Sequence, residues 1–450
     1  MDLSVENVER NLQYNNASER DIIKQFFTNP QEIDRKKKTF VFSTPSETGT
    51  SFFRLFEPMR VMWKHFRDEA NFVYTEGIQP NHLKLADGII MHRAGNLHSH
   101  FLSAVEMWPK TEVKPFIIHD VDDNEFNLPR AHPMRDIWYI SGKDKMSIQS
   151  LKQSDLIMTT TEKLKKTFKP MNKKGNVHIF RNAFDWELPQ WNLDKNEVRK
   201  EMIPEWGEDK IVIGWAGLTS HYEDIKRMHA VLKKIHDKYP ETVFILAGMA
   251  LKDSSIEIRY DDDGKPLFKE QEIEDESMLY KNRVKSLYAD FDESRLKIFD
   301  AKPLEEYGKF YALFDISLAY IERNAFNSCK SEIKVIESLH YDAPTVFSNY
   351  GGYKDFWDSV PGNIKKSESG NRLPFAIDSM MPKKWIEALS FWVDAIKTNS
   401  PDLKKVKELA EFSDNKYDLN QTAEERLFFL IEESEKHEEN EINKIARNYK

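Results

Sequence analysis

Short apolar runs separated by helical periodicity fall into two blocks along the chain. In the first block the runs are Thr39-Phe40-Val41-Phe42-Ser43, Asn71-Phe72-Val73-Tyr74, Gly88-Ile89-Ile90-Met91-His92, Pro115-Phe116-Ile117-Ile118-His119-Asp120, Leu156-Ile157-Met158-Thr159-Thr160 and Val177-His178-Ile179-Phe180-Arg181-Asn182. Runs without clean alternation of polar and apolar positions mark strands buried on both faces, as in parallel sheets. The pattern restarts at Ile211-Val212-Ile213-Gly214-Trp215-Ala216-Gly217, with a helix over 223–238 and further strands at 243–248, 296–299, 315–320 and 345–348. This predicts an α/β chain of two facing, doubly wound, Rossmann-like domains with a helical C-terminal tail.

The boundaries follow from composition. Residues 1–38 form a polar leader, 39–190 an N-terminal domain, 191–380 a C-terminal domain and 381–450 helices. Residues 185–208, rich in Trp, Pro and charge, read as the link. Residues 251–275 are polar and acidic around Asp261-Asp262-Asp263-Gly264-Lys265-Pro266 and read as a surface hairpin or mobile insertion. Trp385-Ile386-Glu387-Ala388-Leu389-Ser390-Phe391-Trp392 has helical spacing and is expected in the core.

With 450 residues and 40% hydrophobic content, two packed domains are the expectation. The net charge of −9 gives no global field for nucleic acid or anionic membranes, which leaves room for a local basic cleft. Cys329 is the single cysteine, so an internal disulfide and a cysteine zinc cluster are excluded. The polar, acidic start does not read as a signal peptide, and no apolar run approaches the roughly 20 residues that span a bilayer. A soluble cytoplasmic protein without a membrane partner is expected.

In such a fold a ligand is expected at the carboxyl ends of the strands, between the domains. Three groups of residues point there. Gly214-Trp215-Ala216-Gly217-Leu218-Thr219-Ser220-His221 follows a strand and opens a helix. Gly217 allows close backbone approach, Thr219 and Ser220 can donate to a phosphate, and His221 can bond a phosphate or cap the helix. Further on, a helix is expected to carry Lys330, Ser331, Lys334 and Glu337. A cation near its start and a carboxylate beyond suit a ligand with phosphates at one end and a sugar diol at the other. The helix N-terminus would add free N–H groups. In the first half, Asp120 leads the strand-end carboxylates Asp120, Asp122 and Asp123. They could orient an acceptor hydroxyl, take its proton or bind a cation, or form a hydrated loop capping a helix. Gly49, Thr50 and Arg54 lie on the first strand-loop-helix, where Arg54 could balance phosphate charge or pair with Glu57. His98 and His100 lack a third ligand at suitable spacing, so no metal site is expected.

With these residues in hand the chain resembles GT-B glycosyltransferases of the family-4 type, particularly the divergent versions of bacteriophages. The resemblance covers most of residues 39–400 and is carried by 214–221, 315–349, Asn182-Ala183-Phe184-Asp185 and 120–129. It implies that Glu337 matches the second acid of the family's paired glutamates and holds the ribose. It implies that Lys330 contacts the donor diphosphate and that Gly217 belongs to the phosphate loop. Two positions depart: the first glutamate would fall near Cys329, and Ser220 and His221 stand where an Arg is usual. The resemblance implies sugar transfer from a nucleotide-sugar, with UDP-sugar the expected donor, to a hydroxyl, with retention, no tightly bound cofactor and no essential metal. Phage enzymes of this kind glycosylate hydroxymethylated pyrimidines such as 5-hydroxymethylcytosine in double-stranded DNA, placing such a chain in the host cytoplasm. Arg35 to Lys38, Lys163, Lys165, Lys166, Lys169, Lys173 and Lys174 could then track phosphates, or serve only solubility. The alternatives are a glycan or protein acceptor, or a GT-B-shaped binding protein without turnover.

Overall fold

A computed structural model describes residues 33–44, 49–75, 77–93, 104–132, 134–249, 254–260, 266–272 and 279–448. Most of the polar leader, the loop at 45–48, His98 and His100 lie outside them. Contacts divide the chain into two compact units. Unit 1 runs to Asn124, resumes over Gly142–Asp185 and takes up the chain again from Tyr417. Unit 2 comprises Glu125–Ser141 and Trp186–Lys416.

Unit 1 is built on a six-stranded sheet of β1 (Lys38–Ser43), β2 (Ala70–Thr75), β3 (Gly88–His92), β4 (Phe116–Val121), β5 (Leu156–Thr159) and β6 (Val177–Ile179), in the order β2-β1-β3-β4-β5-β6. Every neighbouring pair is parallel. β4 is buried at every position, its apolar start Phe116-Ile117-Ile118 and also His119 and Asp120 towards its carboxyl end. Helix α1 (Glu57–Phe66) follows a single π-helical stretch, Phe52–Phe56. The last helix, Leu419–Asn448, belongs to this unit. Phe184 N–H donates to the Tyr417 carbonyl at 2.8 Å, and Asn420 Nδ2 donates to Asp185 at 2.9 Å. The helical C-terminal region is therefore shared: Pro382–Lys397 and Leu403–Lys416 lie in unit 2.

Unit 2 carries β7 (Ile211–Ala216), β8 (Thr242–Met249), β11 (Leu296–Asp300), β12 (Ile316–Ala319), β13 (Thr345–Ser348) and β14 (Ala376–Ile377), in the order β11-β8-β7-β12-β13-β14. All pairs are again parallel. The acidic insertion forms the antiparallel hairpin of β9 (Ser254–Tyr260) and β10 (Pro266–Glu272); its centre at 261–265 lies outside the described residues. Helix α2 (Tyr222–Lys238) buries Ile225, Met228, Val231, Leu232 and Ile235, the spacing of one helix face. Trp385, Leu389 and Trp392 are buried as their spacing predicts. Glycine at 214 is dictated by packing, because a Cβ there would lie 1.9 Å from the Phe314 ring. Among the described residues no helix is long and apolar enough to cross a membrane.

Candidate functional site

The order of the second sheet reverses between β7 and β12, the place where loops diverge and a ligand can enter at the strand ends. The loop after β7 holds Gly217 and a 3-10 turn over Thr219–His221. The loop after β12 runs to a 3-10 turn over Asn327–Cys329, then Lys330, then helix α3 (Ile333–Leu339).

Lys334, in the first turn of α3, reaches back to the β7 loop. Its Nζ lies 5.1 Å from the centroid of the Trp215 ring, and 2.7 Å from where a Cβ on Gly217 would stand. Trp215 ring atoms would be 2.6 Å from that Cβ, so only glycine fits. Lys330 rests its ammonium on the Phe326 ring at 4.4 Å. His221 Nδ1 and Asp224 Oδ2 are 2.8 Å apart, and Asp224 Oδ1 accepts the Glu322 N–H at 2.8 Å.

Burial dominates the titration of these groups. Burial lowers the His221 pKa to about 4, helped by Lys334 and Lys330 and opposed by Asp224. Burial lowers Lys334 to about 8, with Lys330 adding to the shift and Asp224 and Glu337 opposing it. Burial raises Glu337 to about 8, although the Tyr311 hydroxyl and Lys334 act against it. Glu337 is 1% exposed, and its Oε2 has no hydrogen-bond partner among the described residues. The Tyr307 and Tyr311 hydroxyls are 3.1 Å apart behind it. Two ammonium groups and a neutral imidazole around a glycine loop can receive an anion, which would raise the proton affinity of both His221 and Lys334. With its Nδ1–H directed at Asp224, His221 presents Nε2 as an acceptor when neutral and a donor once protonated.

One expectation about this segment changes. Lys330 precedes the helix in extended backbone and is not carried by it. Glu332, 2% exposed, stands at the N-cap position of α3, a helix of seven residues. The Glu332 side chain makes no capping hydrogen bond to the first turn. Ser331 is half-buried between Lys330 and Glu332; Ser220 is exposed, and the Thr219 side chain lies outside the described ones.

In unit 1 the predicted residues meet each other. Arg54 Nε donates to Asp120 Oδ1 at 2.9 Å, and a second guanidinium nitrogen pairs with Oδ2. Asp120 has no exposed surface, and His92 Nδ1 lies 3.0 Å from it. Burial favours the protonated acid, yet Arg54 and His92 outweigh it and hold the Asp120 pKa below the usual range. Arg54 therefore pairs with Asp120 and not with Glu57, whose Oε1 accepts the Asp185 N–H at 2.7 Å. Beside them Arg93 pairs with Asp122 at 3.0 Å and Asp123 at 3.3 Å. Gly49 is exposed, and a Cβ there would meet no described atom within 4 Å. Lys163, Lys166, Lys169 and Lys173 are exposed on and after the helix Glu162–Phe168, whereas Lys174 pairs with Asp155 at 2.6 Å and Lys38 with Glu438 at 2.6 Å.

Sequence reasoning missed Asp224, Tyr311 and His92. Tyr307 and Tyr311 are spaced to share a helix face, a signal available in the sequence. The facing of His92 and Asp120 depends on the pairing of β3 with β4, where they are register partners. Among the described residues no group of three His, Cys, Asp or Glu is placed to hold a metal ion.

No model of a known protein family matches the chain, and no curated protein does. Solved structures do. A glycosyltransferase from Rickettsia africae shares 12% identity over 88% of this chain and 98% of its own, with a TM-score of 0.58. Anabaena HepE in complex with UDP-glucose shares 12% over 86% and 99%, with a TM-score of 0.56. A UDP-forming trehalose-phosphate synthase from Burkholderia xenovorans shares 10% over 87% and 98%, with a TM-score of 0.51. At these identities the likeness is one of fold: two Rossmann-like domains of the GT-B kind, with a helical C-terminal region.

Proposed function

We propose that the chain is a glycosyltransferase that moves a sugar from a UDP-sugar to a hydroxyl acceptor. The observation that carries this reading is the group of Lys330, Lys334 and His221 about Gly217, with a buried, half-satisfied Glu337 one helical turn beyond Lys334. The cations match a diphosphate, and the Glu337 carboxyl matches a ribose diol. HepE, of the same fold, was solved with UDP-glucose bound.

On this reading the two lysines and His221 stabilise charge on the departing diphosphate, where low dielectric makes each contact stronger. At neutral pH Glu337 carries its proton and can both donate to and accept from sugar hydroxyls. Gly217 admits the phosphates to the backbone, with Ser220 and Ser331 as hydroxyl donors at the rim. We assign Asp120 and Arg54 to shaping the strand ends of unit 1, where the acceptor is expected, and Gly49 to the loop beside them. By the family-4 likeness the transfer retains configuration and takes no essential metal.

For the acceptor we propose the hydroxymethyl group of a modified pyrimidine in double-stranded DNA. The exposed Lys163, Lys166, Lys169 and Lys173 support it as a phosphate-tracking surface. The test is UDP release from a panel of UDP-sugars with unmodified DNA, with DNA containing 5-hydroxymethylcytosine, and without acceptor. Release that depends on the modified base supports the whole reading. Release indifferent to DNA removes the DNA acceptor and favours a glycan or protein; no release with any donor favours a binding protein.

A further inference from the structure

Residues Glu125–Ser141 belong to unit 2, although the chain enters them from unit 1 at Asn124 and returns to it at Gly142. The segment packs on itself. Tyr139 donates its hydroxyl to the Phe126 carbonyl at 2.8 Å, and the Phe126 and Trp138 rings meet edge to face at 6.3 Å. Backbone turns at Pro129 and His132 tighten it: His132 N–H donates to the Pro129 carbonyl, and Arg135 N–H to the His132 carbonyl, both at 3.0 Å. Such a loop, closed by its own side chains, holds the residues at its tip in place.

The residue so held is His132. Its Nδ1 accepts the Met134 N–H at 3.2 Å, which fixes the ring and leaves the proton on Nε2. The ring meets Phe326 edge to face, centroids 5.4 Å apart at 67°. Phe326 is 5% exposed, and it is the ring that carries the Lys330 ammonium at 4.4 Å. The imidazole and the ammonium thus share one platform, and their separation is bounded by the sum of those two distances.

We propose that His132 is a positioning residue for Lys330: it fixes the Phe326 ring, and the ring fixes the ammonium. A lysine side chain has four rotatable bonds, and one left unanchored spends most of its time away from any single geometry. The segment thereby sets the availability of a cation in a site built otherwise from the β7 and β12 loops. This inference rests on the reading of that site as a diphosphate receptor, and the test separates the two.

Two quantities are measured on wild type, His132→Ala, His132→Phe and Phe326→Leu: the dissociation constant for UDP by calorimetry, and the acylation rate of Lys330 by mass spectrometry, normalised to the exposed Lys173. His132→Ala and Phe326→Leu should each raise Lys330 acylation and weaken UDP about 3- to 10-fold, the range a lost cation–aromatic contact allows. His132→Phe, which keeps an aromatic edge, should restore both, a rescue that general loss of structure does not give. If His132→Ala does not fold, His132→Asn replaces it. Unchanged Lys330 acylation in His132→Ala overturns the proposal, whatever Phe326→Leu does. If wild type fails to bind UDP, the diphosphate reading falls, and Lys330 acylation alone still decides whether His132 positions it.

Discussion

Replacing Gly217 by alanine probes the site with one methyl group. The new Cβ would stand 2.6 Å from the Trp215 ring and 2.7 Å from Lys334 Nζ, both inside contact distance. Trp215 is 2% exposed in a central strand and has nowhere to go. The backbone cannot retreat toward β8 either, because Gly248, at φ +92°, already packs against the Gly217 carbonyl. The flexible end of Lys334 is the part that yields, and it leaves the face of Trp215. Loss of one charge-assisted contact to a bound phosphate costs about 1.5–3 kcal/mol, or roughly 10- to 150-fold in affinity. Crowding against the ring should lower stability by about 1–3 kcal/mol as well. Calorimetric titration of UDP into Gly217→Ala at pH 7.5, on protein shown to be folded by circular dichroism, measures the first effect. Affinity within about twofold of wild type would mean that Lys334 does not serve the ligand, and would refute the reasoning.

Four further outcomes follow, three from this site and one from the Arg54–Asp120 pair of unit 1. The UDP dissociation constant should rise as pH passes about 8, because Lys334 is then losing its proton; binding near pH 6 should take up protons through His221, read as a dependence of the calorimetric heat on buffer ionisation. Glu337→Gln should bind UDP more weakly yet melt at higher temperature than wild type at pH 8–9. The folded-state pKa of Glu337 is raised to about 8 from 4.5, so its burial costs stability progressively as pH climbs between those values, and glutamine removes that cost. Arg54→Ala leaves the buried Asp120 carboxylate uncompensated and should cost about 3–5 kcal/mol in denaturant unfolding at pH 7. Because Arg54 and His92 hold the Asp120 pKa down, its contribution is present above the ordinary carboxylate range and lost as pH falls through the folded value; the gap between wild type and variant should narrow in acid.

The fold was legible because parallel strands buried on both faces leave a strong imprint. Phe40-Val41-Phe42, Ile117-Ile118 and Val243-Phe244-Ile245-Leu246 can only be core, and all are buried. The Gly217 and Glu337 segments announced themselves by residue type next to a strand end. Less legible was anything set by pairing between distant segments. Tyr417 and Asn420 bond Phe184 and Asp185 across more than two hundred residues, which a composition-based boundary at 381 does not show. The segment Glu125–Ser141 is equally opaque, since its sequence neighbours on both sides belong to the other unit. Lys330 stands in extended backbone before α3, whose N-cap position falls at Glu332, and propensity alone does not choose between the two starts.

The most direct measurement is calorimetric titration of UDP into wild type and into the Lys330→Ala/Lys334→Ala double variant. A nucleoside diphosphate receptor at the β7–β12 switch point should bind UDP in the range of about 1 µM to 1 mM usual for enzyme substrates. Removing both ammonium groups should abolish detectable heat while leaving the protein folded. Absence of binding by wild type at millimolar UDP, or equal binding by the double variant, would contradict the assignment of this site.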